Sequence, residues 1–153
     1  MKRVLFVCTG NICRSPTAEG VFRHFADAAR FEVDVDSAGT YGYHIGEPPD
    51  SRTIQAAEKR GFDLKPLRAR RVKREDFDHF DLILAMDHAH LTHLEAMRPQ
   101  NSKAAVKLFL DYHPDAKSAD VPDPYYGEAA GFDHVLDLVE AASRGLLDNL
   151  RAG

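Results

Sequence analysis

The stretch that decides the fold runs from Val4 to Pro16 and reads Val-Leu-Phe-Val-Cys-Thr-Gly-Asn-Ile-Cys-Arg-Ser-Pro. Its first four residues form a continuous apolar run of strand length, which is typical of a parallel strand covered on both faces. Pro16 suits the first turn of a helix, and Ser15 is the predicted N-cap residue. Apolar residues then recur along one helix face: Ala18, Val21, Phe22, Phe25 and Ala29. The sequence therefore opens with strand, loop and helix.

The same alternation continues to the end of the chain. Apolar patterning predicts further strands at residues 31–37, 82–86 and 106–110, and helices at residues 50–61, 88–97 and 132–150. Strands that alternate with helices predict an α/β fold, with a parallel sheet covered by helices on both faces. Because no linker or internal repeat interrupts the pattern, residues 1–153 are expected to form a single domain.

Composition limits the partners of this domain. Its 20 Lys and Arg residues against 24 Asp and Glu residues give a formal charge of -4. No overall basic field is therefore expected to attract nucleic acid or an anionic membrane, and no stretch approaches the length of a membrane span. With Cys8 and Cys13 as its two cysteines, the chain lacks a disulfide framework, which indicates a reducing, cytoplasmic compartment.

Cys8 and Arg14 frame the predicted loop between the first strand and the first helix. Such a loop can turn its N–H groups inward, where the amino-terminal end of the helix adds positive potential. Arg14 can bind two oxygens of one phosphate, and the positive surroundings favour the thiolate form of Cys8. The predicted anion-binding residues are Thr9, Gly10, Asn11, Ile12, Cys13 and Arg14.

A proton for a leaving oxygen has to come from a nearby acid, and Asp123 is the candidate. It begins the run Asp-Pro-Tyr-Tyr at residues 123–126, in a long stretch without periodicity after the predicted fourth strand. Pro124 restricts Asp123 to an extended conformation, and the two tyrosines could wall a slot for an aromatic ring. Two simpler interpretations stay open: Asp123 as a turn cap, and the tyrosines of these loops as ordinary surface residues.

Taken together, residues 8–19, 36–39, 46–50 and 123–126 resemble the low-molecular-weight protein tyrosine phosphatase family. The matching segments are in order and span nearly the whole chain. The resemblance implies a flavodoxin-like three-layer fold with a four-stranded parallel sheet and a phosphate-binding loop after the first strand. It also implies a two-step hydrolysis of protein phosphotyrosine through a phosphocysteine intermediate, without a cofactor or a metal.

The resemblance also implies roles for individual residues. Cys8 attacks phosphorus, the loop amides and Arg14 bind the oxygens, and Ser15 stabilises the thiolate. Asp123 protonates the tyrosine oxygen and then activates water. Asn11 and Ser37 hold the loop in shape, and the implied slot for the substrate ring consists of Tyr43, Tyr125 and Tyr126. The implied partner is a phosphotyrosine-containing protein, for which a cognate tyrosine kinase is one candidate.

One position departs from this pattern. Residues 66–70 read Pro-Leu-Arg-Ala-Arg, where many relatives carry Gly-His-Arg-Ala-Arg. Leu67 thus stands where a histidine braces Asn11 and Ser37, which leaves the rigidity of the loop open.

Three other functions compete with this prediction. An arsenate reductase would need further cysteines to pass a disulfide along, and none follows Cys13. A phosphoarginine phosphatase tends to carry threonine where this loop has Ile12. A phosphate-binding module without activity has no need of Cys8, Arg14, Ser15 and Asp123 together.

Cys13 and three histidines have alternative interpretations as well. A Cys8–Cys13 disulfide could protect the nucleophile from oxidation, or Cys13 could be a buried packing thiol. His88, His90 and His93 lack the spacing of a metal site on one helix face, so we expect a solvated helix surface.

Overall fold

The computed structural model describes residues 2–125 and 127–153. The strands in these residues are β1 (Lys2–Cys8), β2 (Val33–Gly39), β3 (Leu82–Ala85) and β4 (Ala105–Leu108). The α-helices are α1 (Arg14–Ala28), α2 (Ser51–Glu58), α3 (Asp76–His79), α4 (His88–Met97) and α5 (Ala129–Ala152), and Phe109–Tyr112 forms a 3₁₀ turn. No helix within the described ranges has both the length and the apolar character needed to cross a membrane.

The four strands form one parallel sheet in the order β2-β1-β3-β4. The register places Val4 opposite Val35 on one side and opposite Leu82 on the other. Because β1 has β2 on one side and β3 on the other, the order of the strands reverses beside it. Ligands bind at such a point, in the crevice outside the carboxyl ends of the strands. The fold therefore places this crevice after Cys8 and after the end of β3.

Alternate residues of β1 belong to the two faces of the sheet. Phe6 lies on the side of α1, where its ring meets that of Phe22 edge-on at 5.9 Å between centroids. Leu5 belongs to the buried cluster on the opposite side, together with Phe77 of α3 and Leu94 of α4. Helices thus cover both faces, and the predicted three-layer α/β fold is confirmed.

Several element boundaries differ from the sequence prediction. The predicted N-cap role of Ser15 is wrong, because α1 begins at Arg14 and Cys13 occupies the N-cap position without a side-chain cap. The strand predicted at residues 106–110 ends at Leu108, and the apolar residues after it are buried in the 3₁₀ turn that contacts α5. Helix α2 ends at Glu58, earlier than the predicted end at Gly61.

Gly145 gives a test of how closely α5 packs against the 3₁₀ turn. A β-carbon at this position would overlap the backbone carbonyl of Tyr112, which has little freedom to move. We expect Gly145→Ala to lower the free energy of unfolding by about 1–3 kcal/mol in urea denaturation. Gly131→Ala on the same helix is the matched control, because its added β-carbon would lie 3.7 Å from Pro124, an ordinary contact. Equal stability of the two variants would contradict this view of the packing.

Candidate active site

The loop from Cys8 to Ser15 joins β1 to α1, and its carbonyl groups face neighbouring segments. The N–H groups of Thr40, Tyr41 and Asp50 donate to the carbonyl oxygens of residues 8, 9 and 12, at 2.9, 3.0 and 2.8 Å. Among the described residues, none accepts a hydrogen bond from the N–H groups of residues 9–13. These amides, next to the positive end of the α1 dipole, are available to an anion.

Asn11 fixes the shape of this loop. Its backbone is left-handed, with φ at 59°, a conformation that asparagine adopts more readily than most residues. The side-chain amide donates to Ser15 Oγ at 2.8 Å and to Ser37 Oγ at 2.9 Å, while its oxygen accepts from the Arg70 N–H at 3.0 Å. One side chain thereby ties the loop to α1, to β2 and to the segment after α2.

The network continues to Glu19, so it is closed without a histidine. Ser37 Oγ donates to Glu19 Oε1 at 2.6 Å, and Arg23 donates to the other carboxylate oxygen at 2.8 Å. Burial raises the pKa of Glu19, against the lowering effect of these two donors. Leu67 is half-buried against the apolar core. Glu19 thus occupies a bracing role, and the loop is held despite the leucine.

Gly39 at the end of β2 allows the loop to approach the sheet closely. A β-carbon there would lie 2.7 Å from the carbonyl oxygen of Thr9, nearer than real β-carbons approach. The glycine of the 36–39 motif is therefore explained by contact with the loop.

Cys8 and Ser15 face each other across the loop. Cys8 Sγ lies 3.0 Å from Ser15 Oγ, which is short for a contact with sulfur, and both residues are buried. Asn11 already donates to Ser15 Oγ, so the serine proton can point at the Ala38 carbonyl oxygen at 3.4 Å or, over the shorter distance, at the sulfur. This direction stabilises a thiolate, and it explains why Ser15 does not cap the helix.

Arg14 is buried, with 4% of its surface exposed, and is held by protein acceptors. Its Nη1 donates to Asp87 Oδ2 at 2.8 Å and to the Val121 carbonyl at 3.1 Å. Its Nη2 donates to Thr9 Oγ1 at 3.3 Å. The guanidinium thus has a fixed position at the base of the crevice.

Asp123 caps a turn and also lines the crevice. Its Oδ1 accepts from the Tyr125 N–H at 3.0 Å, which caps the turn, and its Oδ2 lies 3.6 Å from Arg14 Nη2. The side chain is 44% exposed. Arg52 of α2 supports the turn, because it donates to the Tyr125 carbonyl at 3.0 Å and lies 5.5 Å from the centre of the tyrosine ring.

These groups surround a cleft of about 370 Å³, whose lining includes Cys8, Thr9, Ile12, Arg14, Tyr41, Tyr43, His44, Asp123 and Tyr125. Tyr43 is 82% exposed, and its ring lies 5.8 Å from that of Tyr41. The structure therefore brings Tyr43 and Tyr125 to the cleft, whereas Tyr126 lies outside the described residues. A larger cleft of about 450 Å³ lies beside β2, but there Arg70 is paired with Asp36 and Asp76.

Sequence reasoning missed Asp87 and His90, which contact Arg14 and Thr9. It also missed Tyr41 and His44, which line the cleft. Asp87 follows β3, the strand beside β1, and its position at the carboxyl end of a predicted strand was the available signal. The prediction of a solvated surface is wrong for His90, which is buried and contacts Thr9. His88 is exposed. Within residues 2–125 and 127–153, no group of three or more His, Cys, Asp or Glu side chains could hold a metal ion.

Cys13 differs from Cys8 in its surroundings. It is buried, and burial raises its pKa to about 12, although the nearby Thr53 hydroxyl acts in the opposite direction. Both cysteines are free thiols. Cys13 is thus a protonated thiol at neutral pH, and a protective disulfide with Cys8 stays a prediction.

Comparisons with known proteins identify the class of protein to which this site belongs. The chain matches the family model described as low molecular weight phosphotyrosine protein phosphatase over residues 3–153. It is 46% identical to a low molecular weight protein-tyrosine-phosphatase of Streptomyces coelicolor, over 97% of this chain and 93% of the relative. A crystal structure of an Entamoeba histolytica protein tyrosine phosphatase superposes with a TM-score of 0.95, at 37% identity, covering 100% of this chain and 99% of the other.

A Drosophila arginine phosphatase is also similar, with a TM-score of 0.92 at 29% identity and coverage of 99% and 98%. The fold alone therefore does not separate the two substrates.

A loop with a buried thiol on a four-stranded parallel sheet, together with these matches, defines a cysteine-dependent phosphatase. The chain belongs to the low molecular weight phosphotyrosine protein phosphatase family. It is accordingly a hydrolase of phosphomonoesters whose substrates are phosphoproteins.

The role of Asn11 can be tested with two substitutions that remove the same hydrogen bonds. We expect Asn11→Ala and Asn11→Gly each to reduce kcat/KM at least tenfold, because three contacts that shape the loop are lost. Alanine should also lower the free energy of unfolding by about 1 kcal/mol more than glycine, since the residue has a positive φ. Full activity in Asn11→Gly would show that the side chain is dispensable.

The raised pKa of Cys13 predicts selective alkylation. With a pKa of about 12, Cys13 has almost no thiolate at pH 7, so iodoacetamide should label Cys8 alone. Peptide mass spectrometry measures the site, and added phosphate should protect it. The Cys13→Ser variant is the control and should be labelled like the wild type; comparable labelling of both cysteines would contradict the assignment.

Proposed function

We propose that the chain hydrolyses protein phosphotyrosine with Cys8 as nucleophile, Arg14 as phosphate clamp and Asp123 as general acid and base. The observation that carries this proposal is the convergence of all three side chains on one cleft. Arg14 Nη2 lies 3.6 Å from Asp123 Oδ2, and the Cys8 sulfur lies within the same loop. A nucleophile, a cation and an acid around one anion-sized space can perform each step of the hydrolysis.

In the first step, the Cys8 thiolate attacks phosphorus and the bond to the tyrosine oxygen breaks. Three non-bridging oxygens gain negative charge, which the loop amides of residues 9–14 and the guanidinium of Arg14 stabilise. Protonated Asp123 gives its proton to the departing phenolate. The products are the dephosphorylated tyrosine residue of the substrate protein and phosphocysteine at Cys8. Ser15, which faces the sulfur at 3.0 Å, lowers the energy of the attacking thiolate.

In the second step, water attacks the phosphocysteine and gives a proton to the Asp123 carboxylate. The sulfur–phosphorus bond breaks, inorganic phosphate leaves, and the Cys8 thiolate is restored, again facing Ser15. Asp123 can serve in both steps because its Oδ2 is exposed toward the cleft, while Oδ1 is held by the turn. The anchored oxygen keeps the other one in place.

The proposed slot for the substrate ring lies between Tyr43 and Tyr125, with Tyr126 as a further expected wall. Both described tyrosines line the cleft, and Ile12 adds an apolar contact at its base. The apolar side chain of Ile12 favours an aromatic ring over the charged guanidinium of phosphoarginine. We infer a phosphotyrosine-containing protein as substrate, and a cognate tyrosine kinase as one candidate partner.

Two further features belong to this proposal. A catalytic thiol has to stay reduced, which supports the cytoplasm as the place of action. Residues 1–153 act as a single phosphatase domain. Both core clusters pack against the same sheet, and the residues of the site follow different strands of that sheet.

The roles can be tested on para-nitrophenyl phosphate, phosphotyrosine peptide and phosphoarginine peptide under reducing conditions. Cys8→Ser should abolish turnover while phosphate binding persists. Asp123→Ala should reduce kcat by about 10²–10⁴-fold on phosphotyrosine but much less on para-nitrophenyl phosphate, whose leaving group needs little protonation. Ile12→Thr should raise activity on phosphoarginine relative to phosphotyrosine.

The matched controls are Cys13→Ser for the nucleophile and Asp115→Ala for the acid. Asp115 is an exposed carboxylate of the same long segment, outside the cleft lining. If Asp123→Ala loses the same factor in kcat on phosphotyrosine and on para-nitrophenyl phosphate, Asp123 does not act as the general acid. A wild type that binds phosphate without turnover would leave the silent binding module as the better explanation.

A further inference from the structure

His90 is a buried histidine that the reaction above does not use. It lies on the first turn of α4 with 3% of its surface exposed, and its Nε2 is 2.7 Å from Thr9 Oγ1. That hydroxyl also accepts from Arg14 Nη2 at 3.3 Å. A short chain of polar contacts thus leads from α4 through the loop to the guanidinium.

The surroundings of His90 indicate where its ring proton lies. Nδ1 is 3.1 Å from Asp87 Oδ1, although outside the angle of a hydrogen bond. Burial alone would raise the pKa of Asp87, but the backbone N–H and ring of His90 and the charge of Arg14 together hold it below its ordinary value. A carboxylate beside Nδ1 favours a proton on that nitrogen, because a bare lone pair there would be repelled. Nε2 is then an acceptor.

The charge on the ring follows from the same surroundings. Burial, together with the positive charge of Arg14, lowers the pKa of His90 to about 4, against the opposing influence of Asp87, Asp123 and Asp120. The ring is therefore neutral at the pH of the reaction.

The single hydroxyl proton of Thr9 links these two observations. If Nε2 is an acceptor, the Thr9 hydroxyl donates to it at 2.7 Å, and the oxygen presents its lone pairs to Arg14. The opposite tautomer would place an N–H against the hydroxyl and let the threonine proton point toward the guanidinium.

We propose that Thr9 and His90 form a positioning pair for Arg14. In this pair, His90 Nε2 accepts a hydrogen bond from the Thr9 hydroxyl, and the threonine oxygen is thereby directed to the guanidinium. The pair rests on the proposed role of Arg14 as phosphate clamp. Asp87 and Val121 hold Nη1, and Thr9 takes one hydrogen of Nη2. Among the described residues no acceptor is paired with Nε, so Nε and the second Nη2 hydrogen form the edge that faces two phosphate oxygens.

The first test removes the hydroxyl of Thr9. We expect Thr9→Val, which keeps the shape of the side chain, to raise both KM for phosphotyrosine peptide and the inhibition constant of inorganic phosphate about tenfold. The dependence of kcat on the leaving group should stay as in the wild type, because Asp123 is untouched. Thr9→Ser should recover most of the lost phosphate affinity, and His134→Gln, at an exposed histidine, should not change it.

The second test asks whether the two residues act as a unit. His90→Phe fills the buried space without an acceptor, and the double variant with Thr9→Val should bind phosphate no more weakly than Thr9→Val alone. Additive losses would overturn the pair. If His90→Phe does not fold, the wild type still decides through ¹⁵N NMR of its histidine rings. A neutral, Nδ1-protonated His90 at pH 7 is expected, and an Nε2-protonated or charged ring would overturn the proposal.

Calorimetric titration with inorganic phosphate separates this proposal from the catalytic assignment. A wild type that binds phosphate without turnover, together with weaker phosphate binding in Thr9→Val, would contradict the catalytic roles of Cys8 and Asp123 but support the positioning pair. Normal turnover together with unchanged phosphate affinity in Thr9→Val would sink the positioning pair alone.

Discussion

The side chain of Asn11 is the constraint on which the site depends. A loop that turns its amides inward has to be held from outside, because inward N–H groups repel one another until an anion arrives. The carboxamide of Asn11 supplies that hold with three hydrogen bonds to three different parts of the chain. Glu19 and Gly39 extend this support, one through Ser37 and the other by leaving room for the loop. The anion site is thus assembled before the substrate binds.

The site offers an anion one buried guanidinium and the N–H groups of the loop, within a protein whose formal charge is -4. Arg14 keeps its position because Asp87 neutralises part of its charge on one edge and leaves another edge for the phosphate. A buried cation without such a partner would be costly. The buried pair therefore gives geometry as well as charge, and selectivity for a dianion comes from local contacts.

Local patterns in the sequence predicted much of this structure, whereas contacts between distant segments determine the rest. The strand, loop and helix at Val4–Pro16 are contiguous, so spacing alone predicted them. Asp87 and His90 reach the loop only because β3 lies beside β1, and strand order is not written in any local pattern. Serine is a common N-cap residue, but the hydroxyl of Ser15 contacts the Cys8 sulfur instead. Leu67 left the rigidity of the loop open, because the contact between Ser37 and Glu19 that extends the network joins two separate elements.

The first turn of α2 contacts both halves of the reaction centre. The backbone N–H of Asp50 holds the Ile12 carbonyl of the nucleophile loop, and Arg52 holds the Tyr125 carbonyl beside the acid. Asp50 and Arg52 are two residues apart at the start of one helix. Their contacts therefore fix the spacing between the loop that carries Cys8 and the turn that carries Asp123. This separation is consequently set by one turn of helix, so the two sides of the cleft cannot shift independently of it.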